Sequence, residues 1–175
     1  GLARVFLVAQ SMGGWTCLAY AATHPGCVAG LVMADTAGGL ASPEMEVARE
    51  AGRQAVASRG LAGAAVSDSF RRRNPAGAFL YQQIFDLNPP RDAEANRAAM
   101  GPLAVSTEAA AALTVPVLFI EGEDDILIPP PVIRLAAAMI PGARVEMVAD
   151  AGHSAYFERA GIFNELVGGF FASLR

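Results

Sequence analysis

A serine stands at a sharp turn in the segment Ala9-Gln10-Ser11-Met12-Gly13-Gly14, between an apolar run and a stretch typical of a helix. Such a turn holds the serine Oγ above the end of a strand, and the residues two positions before and after it must be small. Ala9 and Gly13 meet that requirement. The Met12 N–H would lie at a helix N-terminus, where it would stabilise an oxyanion. The alternative is a helix-capping turn without chemistry.

Two later segments carry the groups that a serine nucleophile needs. Gly122-Glu123-Asp124-Asp125 and Gly152-His153-Ser154 each follow a short apolar run. A histidine can take the proton from the serine hydroxyl, and a carboxylate can orient that histidine. Taken singly, the first segment is also typical of a solvated acidic loop and the second of an ordinary surface or core histidine. His24, which precedes Pro25-Gly26, is interpreted as a helix-end residue.

The elements that must position these groups are four predicted strands, at residues 5–9, 28–34, 118–121 (preceded by Val115 and Val117) and 144–148. The first two are short apolar runs, typical of strands buried on both faces of a parallel sheet. Helices are predicted at residues 15–23, 131–140 and 160–174. Strands that alternate with helices indicate an α/β fold with a parallel sheet.

Residues 38–108 interrupt this alternation. The segment is rich in Ala and Arg, and its helical patches at 44–57 and 79–85 are broken by Asn74-Pro75 and Asn88-Pro89-Pro90. An excursion of about 70 residues is too long for an ordinary crossover, so we predict a helical lid or subdomain. Its aromatic residues, together with Trp15, either shape an apolar pocket or pack in a core; they are Phe70, Phe79, Tyr81 and Phe85.

The candidate residues occur in the chain order Ser…Asp…His, each after its own strand, which is the order of the α/β-hydrolase fold. The segments AQSMGGW, VPVLFIEGEDDILIPP and ADAGHSAYFERAGIFNELV resemble the nucleophile elbow, acid loop and histidine loop of the α/β-hydrolase superfamily. They are most similar to those of lid-bearing bacterial esterases, enol-lactonases and C–C hydrolases. All 175 residues fit the second half of that fold, with a helical lid between the second and third strands.

The resemblance implies a role for each residue. Ser11 matches the nucleophile, His153 the general base and Asp125 the carboxylate that orients it, with the Met12 N–H in the oxyanion hole. Asp125 is preferred to Asp124 because the family acid stands three residues after the loop glycine. Asp35 occupies the alternative acid position of some relatives, although capping of the following turn is its expected role.

Four residues near these positions are expected to bind substrate, namely Gln10, Trp15, Ile126 and Tyr156. The resemblance implies a serine hydrolase that cleaves a small, largely apolar ester or lactone through an acyl-enzyme. The same triad would also serve a C–C bond hydrolase or an acyltransferase, and a non-catalytic binding protein of the same fold stays open. A serine nucleophile excludes the dehalogenase and epoxide-hydrolase branches, which use Asp there.

The resemblance also divides the chain into core at 1–37, lid at 38–108 and core at 109–175. The N-terminal half of the fold, which would supply a second oxyanion donor, is expected upstream. A lone first strand would expose an apolar sheet edge. We therefore expect this chain by itself to be poorly soluble or oligomeric and nearly inactive.

Composition excludes several classes of protein. With 53% hydrophobic and 17% charged residues, disorder is excluded, and no apolar run approaches the ~18 residues of a membrane-spanning helix. The net charge is −4 and no basic stripe with aromatics occurs, so a nucleic-acid partner is not expected. The basic run Arg71-Arg72-Arg73 is interpreted as a solvated face.

Cofactor chemistry has no sequence signature here. Cys17 and Cys27 lack metal-ligand spacing and are predicted to be buried free thiols, and no phosphate-binding glycine loop occurs. We therefore expect no metal, no cofactor, a cytoplasmic location and a small-molecule substrate as the partner, with homo-oligomerisation left open.

Overall fold

A computed structural model describes residues 2–89 and 92–174. The predicted break at Pro90 lies outside the described residues. The strands are β1 (Val5–Gln10), β2 (Val28–Ala34), β3 (Val117–Gly122) and β4 (Arg144–Val148). The helices are α1 (Gly13–Thr23), α2 (Pro43–Ala64), α3 (Asp68–Arg73), α4 (Pro75–Asp86), α5 (Ala93–Met100), α6 (Thr107–Ala111), α7 (Pro130–Ala138), α8 (Ala155–Glu158) and α9 (Ala160–Ala172). Short 3-10 turns occupy Pro25–Cys27 and Gly101–Leu103.

The four strands form one parallel sheet in the order β1-β2-β3-β4. Successive side chains of a strand point to opposite faces. On β2 and β3, Leu31 and Phe119 enter one core with residues of α1 and α7. Their neighbours Val32 and Leu118 enter a second core with residues of α9. Helices therefore cover both faces of the sheet, and the predicted α/β class is confirmed.

Helices α2 to α6, called the helical insert from here on, lie between β2 and β3. Each of them begins at a polar residue whose side chain accepts a hydrogen bond from a first-turn N–H, which stabilises a helix start. These capping residues are Ser42, Ser67, Asn74, Asp92 and Ser106. Helix α2 is kinked at Gly60, whose φ is +71°. The helical character of this segment follows the prediction, whereas its role as a lid stays a prediction.

Several local predictions need correction. Strand β1 lies at the edge of the sheet, as expected of this chain by itself, but it is not buried on both faces, since Val8 is 48% exposed. Cys17 and Cys27 are free but only half-buried. Arg71 does not lie on a wholly solvated face, because its Nη2 donates to the carbonyls that end α2. Helices α3, α5, α6 and α8 were not predicted, since short helices carry little periodicity. In the described part of the chain, no helix is long and apolar enough to cross a bilayer.

We expect Gly122→Ala to destabilise the protein by about 1–3 kcal/mol, because an added side chain must displace backbone. A Cβ on Gly122, at the end of β3, would overlap the Gly152 carbonyl oxygen and lie 2.6 Å from that of Ala151. In contrast, a Cβ on Gly168 meets nothing within 4 Å. Gly168→Ala should stabilise α9 by about 0.5–1 kcal/mol. Urea unfolding measures the free energy of unfolding of both variants. Equal changes in that free energy would contradict the close approach of β3 and the histidine segment.

Candidate active site

Ser11 occupies the two-residue turn between β1 and α1. Its φ of +50° is unusual for a residue other than glycine, and such a conformation persists only where neighbours hold it. The Ser11 N–H donates to the Ala34 carbonyl on β2 at 3.0 Å, and the Ser11 carbonyl accepts from Gly14 N–H at 3.0 Å. The hydroxyl is thereby fixed above the carboxyl end of the sheet.

Small residues are required at positions 9 and 14 of this turn, instead of the expected positions 9 and 13. Ala9 is buried, but a Cβ on Gly13 would meet nothing within 4 Å among the described residues. The crowded position is Gly14, where a Cβ would overlap the side chain of Thr36. The close approach of α1 to the residues after β2 therefore requires glycine at position 14.

His153, on the segment after β4, joins two of the predicted residues. Its Nε2 lies 2.8 Å from Ser11 Oγ, and its Nδ1 lies 2.9 Å from Asp125 Oδ2. The residue His153 is 6% exposed. Its backbone carbonyl accepts from Gln10 Nε2 at 2.7 Å. With Nδ1–H donated to the carboxylate, Nε2 is left to accept the hydroxyl proton. The arrangement can deprotonate Ser11.

Asp125 is held as firmly as the histidine. Its Oδ1 accepts from the N–H groups of Leu127 at 2.8 Å and Ile128 at 2.9 Å, and the residue is 3% exposed. Its two oxygens thus serve different partners, one the loop backbone and the other His153. The carboxylate can fix the ring's tautomer and stabilise its charged form.

The alternative acids and the second histidine lie elsewhere. Asp124 is exposed and accepts from Ser69 Oγ at 3.0 Å. Asp35 is fully buried, and its oxygens accept from the N–H groups of Gly122 and Ala155 rather than from His153. His24 is exposed at the end of α1, as expected of a helix-end residue.

The N–H of Met12 lies at the start of α1 and donates no hydrogen bond to any of residues 2–89 and 92–174. A free N–H at a helix N-terminus, directly after Ser11, can donate to an oxygen that becomes negative during attack by the serine. The geometry suits the predicted oxyanion donor.

Among residues 2–89 and 92–174, three of the cavities include Ser11 in their lining. One of about 260 Å³ is lined by Gln10, Tyr81 and Phe85, with Leu61, Leu127 and His153. A second of about 420 Å³ adds Arg49 and Val56, and a third of about 320 Å³ contains Trp15 and Met100. Two of the four expected substrate-binding residues, Gln10 and Trp15, therefore face the site.

Ile126 and Tyr156, the other two, line none of these three cavities. Ile126 instead lines two other clefts beside the acid loop. Tyr156 packs edge-to-face on Phe157 and Phe163. Of the insert aromatics, Phe70 is buried in a core and Phe79 is 66% exposed, so neither lines the site.

A sequence model of the alpha/beta hydrolase family matches residues 1–166. The chain belongs to this family. No curated protein sequence matches it significantly. Among solved structures, an esterase from Thermogutta terrifontis is similar, with 24% identity over 98% of this chain and a TM-score of 0.79. The enol-lactonase from Burkholderia xenovorans LB400 is 28% identical over 98% of the chain, with a TM-score of 0.72. The chain spans 66% of the length of each of these two structures.

In this alpha/beta hydrolase, the helical insert is tied to the histidine segment by a buried carboxylate. Glu158, on α8, is 7% exposed. It accepts from Ser67 N–H at 3.2 Å, from Ser67 Oγ at 2.5 Å and from Gly152 N–H at 3.0 Å. Nearby, Ser154 Oγ donates to the Tyr81 hydroxyl at 2.9 Å. Ser154, directly after His153, is therefore bonded to the insert, and Gly152, directly before it, shares the Glu158 carboxylate with Ser67 of the insert.

Sequence reasoning did not find the contributions of α2 and of the acid loop to this hydrolase site. Leu127 and Ile128, which line it, stand two and three positions after Asp125 and could have been suspected from that position. Leu61 and Ala65 are one helical turn apart but follow the kink at Gly60, so they do not continue the periodicity of the first part of α2. Within the described residues, no group of three or more metal-ligating side chains is arranged to hold an ion.

Asp35 gives the hydrolase a pH-dependent contribution to stability. Burial, with the added charge of Asp125, raises the pKa of Asp35 well above its ordinary value of 3.8. The folded state therefore binds this proton more tightly than the unfolded state does. Its contribution is fully present below pH 3.8 and is lost as pH rises through the higher folded pKa.

We expect Asp35→Asn to remove this loss, since an amide has no proton to release. The free energy of unfolding of the variant, relative to the natural protein, should rise with pH above about 4, by up to about 1.4 kcal/mol per pH unit. Urea unfolding at several pH values between about 4 and 7 measures it. A difference between the two proteins that is constant across this range would contradict the assigned direction of the shift.

Proposed function

We propose that this chain is a serine hydrolase that cleaves a small ester or lactone through an acyl-enzyme. The observation that supports this most directly is the pair of hydrogen bonds from His153, to Ser11 at 2.8 Å and to Asp125 at 2.9 Å. A serine hydroxyl attacks a carbonyl only when a base removes its proton, and this arrangement supplies the base and its orienting group.

The proposed reaction has two halves. Ser11 Oγ bonds to the carbonyl carbon while His153 Nε2 takes its proton, and the Met12 N–H donates to the oxygen that becomes negative. The bond to the leaving oxygen then breaks, and His153 returns the proton to that oxygen. A water molecule next attacks the acyl-enzyme, with His153 again as base, which releases the acid and restores Ser11.

The substrate class is inferred from the cavities. Their walls near Ser11 are largely apolar, with Leu61, Phe85 and Leu127 in one cavity and Val56 in another. An acyl chain would gain from burial against them. Structures described as an enol-lactonase and as Est816, an N-acyl homoserine lactone degrading enzyme, are 28% and 26% identical to the chain. These relatives favour ester or lactone substrates over the C–C bond alternative.

Labelling with a fluorophosphonate probe tests the nucleophile, because the probe reacts with activated serines. We expect the purified protein to be labelled even if its turnover is slow, because labelling needs only one attack by Ser11, and we expect Ser11→Ala to remain unlabelled. Ser58→Ala, which changes an exposed serine of α2, is the control and should label normally. Either a protein that remains unlabelled or label that persists in Ser11→Ala would overturn the proposal. The first result would favour a non-catalytic binding protein, and the second would assign the nucleophile to another residue.

The two neighbouring aspartates provide a matched pair for the acid. Asp125→Asn should lower kcat for 4-nitrophenyl acetate by about 10³–10⁴-fold, since the amide favours the wrong histidine tautomer. Asp124→Asn, one residue away but exposed and bonded to Ser69, should change kcat a few-fold at most. The reverse ranking in steady-state kinetics would show that the orienting carboxylate is misassigned.

A further inference from the structure

Helix α2 lies directly across the acid loop. A Cβ on Gly52 would overlap the Leu127 carbonyl oxygen and approach that of Ile126 to 3.0 Å. The absence of a side chain at position 52 lets the helix backbone meet the loop backbone. The residues one turn to either side, Arg49 and Val56, line the 420 Å³ cavity that contains Ser11 and His153.

Arg49 is fixed in place at this position. Its Nη1 donates to Glu46 Oε1 at 2.8 Å, and its Nη2 donates to the Leu40 carbonyl at 3.0 Å. The side chain is 21% exposed. Arg49 also lines the 320 Å³ cavity beside Trp15, so it shares both cavities with Ser11. A guanidinium carries five N–H donors, and these two bonds leave several for another partner.

The charged residues around Arg49 leave a positive charge on the wall of the two cavities that it lines. Its partner Glu46 and the next acid, Glu50, are 53% and 54% exposed and line neither cavity. Arg53 also lines the larger cavity but is bonded to both glutamates and is 53% exposed. Asp35 is the acidic residue among those that line the 320 Å³ cavity. Burial raises the pKa of Asp35 and so favours its neutral form.

We propose that Arg49 forms an anion subsite for a carboxylate on the substrate, so that the preferred substrates are esters or lactones with a free acid group. Half-esters of dicarboxylic acids are the simplest example. The inference rests on the proposed function. The apolar wall of Val56, Leu127 and Ile128 would contact the carbon chain between the reacting carbonyl and the distant carboxylate. A guanidinium–carboxylate contact is charge-assisted and strongest where water is excluded.

Equilibrium binding to the Ser11→Ala protein, which should not turn over, tests the subsite directly. The probes are monomethyl glutarate and dimethyl glutarate, which share a carbon chain and differ in the free carboxylate. Isothermal titration calorimetry should show that the half-ester binds at least about tenfold more tightly than the diester. Adding Arg49→Met should abolish this preference, and adding Arg49→Lys, which keeps the charge, should retain part of it.

Arg59→Met is the matched control. Arg59 lies on the same helix, is 45% exposed and bonds to Asp68, and it lines none of the three cavities that contain Ser11. The preference should survive in this variant. Should Arg49→Met fail to fold, Arg49→Gln replaces it, since the amide keeps a donor toward the Leu40 carbonyl and removes the charge.

The outcomes separate this inference from the proposed function. Equal binding of the two probes, or a preference that persists without the Arg49 charge, overturns the anion subsite even if the protein hydrolyses esters. An Arg49-dependent preference supports the subsite. If the protein with Ser11 intact then releases no methanol from either probe and is not labelled by fluorophosphonate, the proposed function fails while the subsite stands.

Discussion

The two hydrogen bonds of His153 constrain the rest of the structure. They join residues that are 142 and 28 positions apart in the chain, so they form only if three separate segments end at one place. The parallel sheet meets that requirement, because the carboxyl ends of all its strands lie at the same edge. The register of β1, β3 and β4 is therefore also what positions Ser11, Asp125 and His153.

The residues at the carboxyl edge of the sheet are held in place by hydrogen bonds to backbone groups rather than by the packing of large side chains. Ser11 is held at a positive φ by its bonds to Ala34 and Gly14, and Asp125 is held by two N–H groups of its own loop. Groups that are fixed before substrate arrives need little reorganisation during reaction. The strain and burial at these positions cost stability, which the cores on both faces of the sheet offset.

The sequence was sufficient to predict those strands and site residues that follow a local or recurrent pattern. The bounds of β2 and β4 agree with prediction, because each is a short run with turn residues before it. The choice of Asp125 over Asp124 followed from spacing within the resemblance, and the structure places Asp125 beside His153. Ile126 was expected at the site instead of Leu127 and Ile128, because the direction of side chains in an irregular loop has no period to read.

Contacts between distant segments had no such pattern. Nothing near Ser67 in sequence indicates that it bonds to Glu158, 91 positions away. Likewise, Arg49 is indistinguishable from the other arginines of α2 until the approach of Gly52 to Leu127 sets the rotation of the helix. Side chains of one type on one helix receive different roles only from tertiary packing, which a single sequence does not contain.

The carboxylate of Glu158 has a consequence for how this architecture can be varied. It is an acceptor shared by Ser67 of the insert and Gly152 of the sheet side, so neither part has a complete set of hydrogen bonds alone. The insert is therefore not an interchangeable module. A graft of foreign helices between β2 and β3 must supply its own donors to this buried acid, or the Gly152 N–H is the one donor left to it among the described residues.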